Sequence, residues 1–165
     1  MKAKLLNAAA TLLMLAVVLA ALPLTVPRMM GYRIYHVLTD SMAPALPVGS
    51  AIYVKECEPA LLETGEIVTF TLGSATELVE THRVVENDTA AKQLVTKGDA
   101  NAQQDAEPVS YGRIVGKVTL CVPHLGEAAE QLQSRTGMIA CVVVFVLAGL
   151  LWALADKCKE RENHK

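Results

Sequence analysis

LVETHRVVE, residues 78–86, decides the fold class, because it is rich in β-branched residues and lies between stretches of turn chemistry. That composition predicts a strand, whose side chains alternate between two faces. It places Glu80, His82 and Val84 on one face and Val79, Thr81, Arg83 and Val85 on the other. His82 is thereby presented from a rigid element. Further strands are expected at Tyr32–Leu38, Ala51–Lys55, Glu66–Leu72, Gln93–Thr96 and Arg113–Val122. Gly49-Ser50, Thr64-Gly65, Gly73-Ser74, Asn87-Asp88 and Gly98-Asp99 supply turn chemistry between them. After Pro123 the period changes: Leu125, Ala128, Ala129 and Leu132 recur at helical spacing, and Gly137 is expected to end that helix.

This β-rich segment lies between two uncharged apolar runs, Leu5–Pro27 and Met138–Ala155. A helix needs roughly 20 apolar residues, and at least about 17, to cross a bilayer, so both are candidate spans. Lys2 and Lys4 ahead of the first run would also suit a cleavable signal peptide. The run outlasts an ordinary signal-peptide core and lacks a clear small-x-small cleavage site, which favours a retained anchor. Pro23 and Pro27 are expected to mark its exit. Lys2 and Lys4 precede the first span; Lys157, Lys159, Arg161 and Lys165 follow the second. The bias of basic residues toward the cytoplasm then predicts two cytoplasmic termini and an extracytoplasmic domain between the spans. The expected division is residues 1–27, 28–136 and 137–165.

The middle segment holds 9 Lys and Arg against 14 Asp and Glu, a net charge of −5. That balance offers no basic footprint for nucleic acid. No CxxC or HExxH spacing occurs, so no metal site is expected, and nothing implies a cofactor. Cys57 and Cys121 could form a disulfide in an oxidising compartment, although spacing alone does not pair them.

TDSMAP, residues 39–44, puts Ser41 where an extended segment gives way to a turn. A serine hydroxyl attacks only with a base in reach and donors for the developing oxyanion. His36, His82 and His124 are the imidazoles of the middle segment, and imidazole exchanges protons near neutral pH. Lys97-Gly98-Asp99-Ala100-Asn101-Ala102-Gln103-Gln104-Asp105 offers carboxylates that could orient one of them. Singly, each of these features suits a structural turn or strand as well as a catalytic site.

Together they resemble the type I signal peptidases, in the endoplasmic-reticulum-type branch. The resemblance runs in order through Ser41-Met42-Ala43-Pro44 with Gly49, Gly65-Glu66-Ile67-Val68, Thr81-His82-Arg83-Val84-Val85, Lys97-Gly98-Asp99-Ala100-Asn101 with Asp105, and Gly112-Arg113-Ile114-Val115-Gly116. It implies a mainly β, signal-peptidase-like (LexA-type) domain flanked by two transmembrane helices. It also implies a membrane-bound serine endopeptidase that removes signal peptides from secreted preproteins. Ser41 would be the nucleophile, His82 the general base, Asp105 or Asp99 the orienting acid, and Thr39 an oxyanion donor with the Ser41 amide. Val37, Leu38, Met42 and Pro44 would line shallow substrate pockets.

Relatives that use a lysine base place it where His82 stands, and no lysine occurs between Lys55 and Lys92. Asp40 departs from the small residue usual before the serine, and Ser50 from the aspartate common after the glycine. Signal peptides and the lipid bilayer are the implied partners, with accessory membrane subunits left open. The alternative is a catalytically inactive β-domain, tethered to the membrane as an interaction module.

Overall fold

The computed structural model describes residues 2–73 and 78–163, in two units. Ser74 of the Gly73-Ser74 turn and Lys165 of the basic tail lie outside the described residues.

One unit, Pro27–Ala128, carries a seven-stranded antiparallel sheet. Its strands are β1 (Tyr32–His36), β2 (Ala51–Lys55), β3 (Ile67–Thr71), β4 (Val79–Asp88), β5 (Gln93–Lys97), β6 (Val109–Ser110) and β7 (Ile114–Val122), in the order β1-β2-β7-β3-β4-β5-β6. Six of the expected strands are present within a few residues of their expected ends. β6 was not anticipated, since two residues are too few to show a period. The β3 and β7 strands supply both faces. Val68 and Phe70 join Leu62, Val84, Leu94 and Val109 in one core cluster, with Ile114 packed against it. The alternate residues Ile67 and Val115 pack against Met42, Leu46, Ile52 and Val54 in a second cluster. Side chains that alternate along a strand point to opposite faces, so these two strands are apolar on both.

Asn87 is not a turn residue. It belongs to β4, where Nδ2 donates to the carbonyls of Pro59 and Leu62 at 3.0 and 2.8 Å and Oδ1 accepts from the Tyr111 hydroxyl. The turn comes later, with Asp88 Oδ1 accepting from the amides of Ala90 and Ala91 and Lys92 at φ 53°. Asn87→Ala removes three hydrogen bonds and strands their partly buried partners. It is expected to cost about 2–3 kcal/mol, read as a lower thermal midpoint of the purified protein.

The other unit contains most of the helical residues. α1 (Lys2–Met29) and α3 (Arg135–Asn163) hold apolar stretches of 26 and 23 residues, each long and apolar enough to cross a membrane. Most of their large apolar side chains are exposed, among them Leu12, Leu19, Val142 and Leu150. Such surface is poorly suited to water. Pro23 and Pro27 do not mark an exit, because both lie inside α1. A proline costs a helix an N–H donor, and here Thr25 Oγ1 donates to the nearby Ala21 carbonyl at 3.0 Å. The chain leaves the helix at Gly31, φ +82°.

The amphipathic helix α2 (Leu125–Gln133) ends before the residue expected to stop it. Ser134 breaks the run: its Oγ donates to the Gln131 carbonyl at 2.6 Å and accepts from the Gly137 amide at 3.0 Å. That donor is three positions after Ser134, the geometry of an N-cap, and Gly137 lies in the first turn of α3. Cys57, Cys121 and Cys141 are free thiols. Cys57 and Cys121 pack against different core clusters, so the allowed disulfide is not formed.

Candidate active site

Ser41 sits on the connection between β1 and β2, which leaves the sheet after Val37 and returns at Ser50. Met42 and Leu46, each 2 % exposed, plug this connection into the second core cluster. Gly49 takes φ +85°, a conformation open to glycine, and its amide donates to the Val37 carbonyl at 2.9 Å. The Asp40 side chain is exposed, so the departure beside the serine is accommodated in solvent.

A second anchor comes from the loop after β5. The Ala100 amide donates to the Ser41 carbonyl at 2.8 Å. Gly98 allows that approach, since a Cβ there would lie 2.8 Å from the same carbonyl oxygen.

His82 projects from β4 onto the face of Val84, as the alternation implied, and its side chain is 3 % exposed. The Phe70 ring meets the imidazole edge-on, with ring centroids 6.2 Å apart. Nδ1 lies 2.6 Å from Asp105 Oδ2. The same carboxylate oxygen accepts from Thr96 Oγ1 at 2.6 Å, and the Asp105 amide donates to the Thr96 carbonyl at 2.9 Å. Thr96 is wholly buried on β5, so Asp105 is fixed by a strand although it lies in a loop. With Nδ1 engaged, the free imidazole nitrogen is Nε2, which is buried without a hydrogen-bond partner. Glu80 Oε1 stands 3.4 Å from it.

Asp99 is engaged elsewhere. Arg83, on the opposite face of β4, donates from Nε and Nη2 to its two oxygens at 2.7 and 2.6 Å, and from Nη1 to the Gly65 carbonyl at 2.6 Å. The guanidinium bonds hold the Asp99 carboxyl below its usual range despite partial burial.

Thr39 Oγ1 and Ser41 Oγ lie 3.4 Å apart. The structure thus brings His82 to Asp105 and Ser41 to Thr39, without closing a hydrogen bond from Ser41 to Nε2. A cleft of about 430 Å³ beside the serine is lined by Val37, Leu38, Thr39, Ser41, Met42 and Glu80, among others. Pro44, proposed as a pocket residue, does not line it. His36 lines this cleft too, whereas His124 lies at φ 62° ahead of α2. Sequence reasoning gave no role to Thr96, Arg83 or Glu80. For Arg83 and Glu80 the alternation within β4 already placed them on opposite faces, but only the fold supplies their partners.

No family model matches the chain. Over 96 residues it is 36 % identical to Signal peptidase I W of Bacillus subtilis (strain 168), a match covering 56 % of this chain and 50 % of that protein. The chain thus matches about half the length of that relative. Over that stretch the chain, an antiparallel β-domain with two long apolar helices, is homologous to Signal peptidase I W.

Proposed function

We propose that the chain is a membrane-bound serine endopeptidase that removes signal peptides from secreted preproteins. Ser41 is the nucleophile and His82 the general base. The observation that carries this reading is the Asp105–His82–Thr96 arrangement, with His82 and Thr96 buried, which leaves Nε2 as the imidazole nitrogen able to take a proton. A carboxylate on Nδ1 fixes the tautomer and stabilises the imidazolium that forms.

On substrate binding Ser41 turns from Thr39 toward Nε2; catalytic hydrogen bonds are often long before the substrate is present. Oγ forms a bond to the peptide carbonyl carbon as its proton passes to Nε2. The oxyanion receives the Ser41 amide and the Thr39 hydroxyl, which stands two residues away. Collapse breaks the C–N bond, and the imidazolium returns its proton to the departing amine. Water, deprotonated by the same imidazole, then releases the acyl group. Val37, Leu38 and Met42 border the cleft beside the serine and favour small side chains before the bond.

The apolar stretches of α1 and α3 span the bilayer, and the basic residues beyond them keep both termini cytoplasmic. This topology holds the site beside the membrane, raising its effective concentration toward membrane-inserted substrates.

The reading is tested with detergent-purified protein and a panel of preproteins. Cleavage is expected after small residues at the first and third positions before the bond. The two acids separate by what each loses. Asp105→Asn is expected to lower kcat by about 10²–10⁴-fold, since it removes the charge that orients the base. Asp99→Asn is expected to cost mainly stability, about 1–2 kcal/mol at neutral pH. Because the folded Asp99 carboxyl titrates below its unfolded value, this contribution is present above about pH 4. It is lost as the pH falls through the lowered value, so the mutant's deficit shrinks in acid. A larger loss of kcat at Asp99 than at Asp105 would reverse the assignment.

A further inference from the structure

Glu80 stands where two clefts meet. One is the apolar cleft that holds Thr39 and Ser41. The other, about 260 Å³, is bordered by Phe70, Leu72, Glu80, Asp105, Glu107 and Arg113, and among the described residues it is lined by no serine, threonine or cysteine. Glu80 pairs with Phe70 across the β3–β4 ladder, which puts its side chain on the face of His82. From there its carboxylate reaches within 3.4 Å of the buried, unpartnered Nε2.

We propose that the second cleft receives the segment of substrate that follows the cleaved bond, and that Glu80 and Glu107 make it disfavour acidic residues there. This deepens the function proposed above and rests on it. In a serine–histidine acyl transfer, Nε2 gives its proton to the departing nitrogen, so that nitrogen must come to the imidazole. The acyl half stays with Ser41 in the first cleft. The departing half leaves past Glu80, whose carboxylate stands 3.4 Å from Nε2 and also borders the second cleft.

The charges in this cleft point the same way. Asp105 is committed to His82 and Thr96. Arg113 is held against the wall, with Nε donating to the Thr71 carbonyl at 2.8 Å and its guanidinium carbon 5.9 Å from the Phe70 ring centroid. Glu80 and Glu107 also line it, and the product amine, largely protonated near neutral pH, is a cation suited to them. An aspartate soon after the bond would meet like charge, while a lysine would not.

The test uses full-length protein in detergent with peptides identical up to the cleaved bond, carrying Lys, Ala or Asp in the two positions after it. The Asp peptide is expected to show a kcat/KM about three- to tenfold below the Ala peptide, the scale of partly screened like charges. The Lys peptide should equal or exceed Ala. Glu80→Gln and Glu107→Gln, singly and together, should narrow the Ala-to-Asp ratio stepwise, and Glu107→Gln, which does not line the first cleft, should leave selectivity for residues before the bond in place. The inference is overturned if wild type treats Asp and Ala alike, if the ratio survives both substitutions, or if selectivity before the bond shifts instead.

A binding arm keeps the two readings apart. Peptides representing only the segment after the bond are titrated against Ser41→Ala protein. Preference for Lys over Asp that fades in Glu80→Gln/Glu107→Gln supports the cleft assignment even if no preprotein is cut, a result that would sink the peptidase reading alone. Absence of that preference overturns the cleft assignment even where cleavage is robust.

Discussion

Ser41→Ala is expected to abolish processing of a reporter preprotein, lowering kcat by about five to six orders of magnitude. Removing a serine nucleophile leaves the residual rate that oxyanion donors and substrate binding supply, so the loss approaches that of the whole catalytic set. Folding should be almost untouched. Among the described residues the hydroxyl makes one long contact, 3.4 Å to Thr39, while the anchor to the Ala100 amide uses the Ser41 backbone carbonyl and survives the change. A thermal midpoint close to wild type with no cleavage product is the expected pair of results. Undiminished cleavage would remove Ser41 from the mechanism. A parallel loss of folding and activity would leave His82→Lys as the discriminating variant.

His82→Lys is expected to be nearly as severe, at least about 10³-fold in kcat, although related peptidases use lysine as the base. A lysine works near neutral pH only when its surroundings make the ammonium unfavourable. Here the site does the reverse. The imidazole is buried between Asp105 at 2.6 Å and Glu80 at 3.4 Å, both able to pair with a cation. An ammonium placed among them is held charged and has no lone pair to receive the serine proton. The longer chain also loses the edge-on contact with Phe70. The measurement is cleavage of the same reporter at neutral pH alongside a thermal melt. Substantial turnover by a folded His82→Lys protein would show that the carboxylates do not dictate the type of base.

Much of this was legible before any coordinates, for physical reasons that differ by element. The strand from Val79 to Asp88 announced itself because its two faces have different work: one contributes His82 and Val84 to the interior, the other sends Arg83 to Asp99. The two long apolar helices were legible because uncharged runs of that length have few other uses. What failed were readings of punctuation. Pro23, Pro27, Asn87 and Gly137 were each taken as local stops, yet all four lie inside regular elements. For Asn87 and Gly137 a partner set by the fold or by a neighbouring turn outweighed the residue's own preference.

The acid was ambiguous for a similar reason. Asp99 and Asp105 share one short loop and both suit an orienting role. They are separated by Thr96, whose buried hydroxyl holds Asp105, and by Arg83, whose fork captures Asp99. Neither selection can be read from spacing. Nor can Glu80, whose meaning comes from the two clefts it divides.

The hydrogen bond from Ala100 to Ser41 carries a consequence for biogenesis. The serine leaves the ribosome 64 residues ahead of Asp105, with the base between them. Until the loop after β5 has been made and docked, the chain holds a hydroxyl with neither its backbone anchor nor an oriented imidazole. Under the proposed function, a peptidase that matures among translocating polypeptides would thereby be harmless to its neighbours, and to its own unfinished chain, until its sheet is complete.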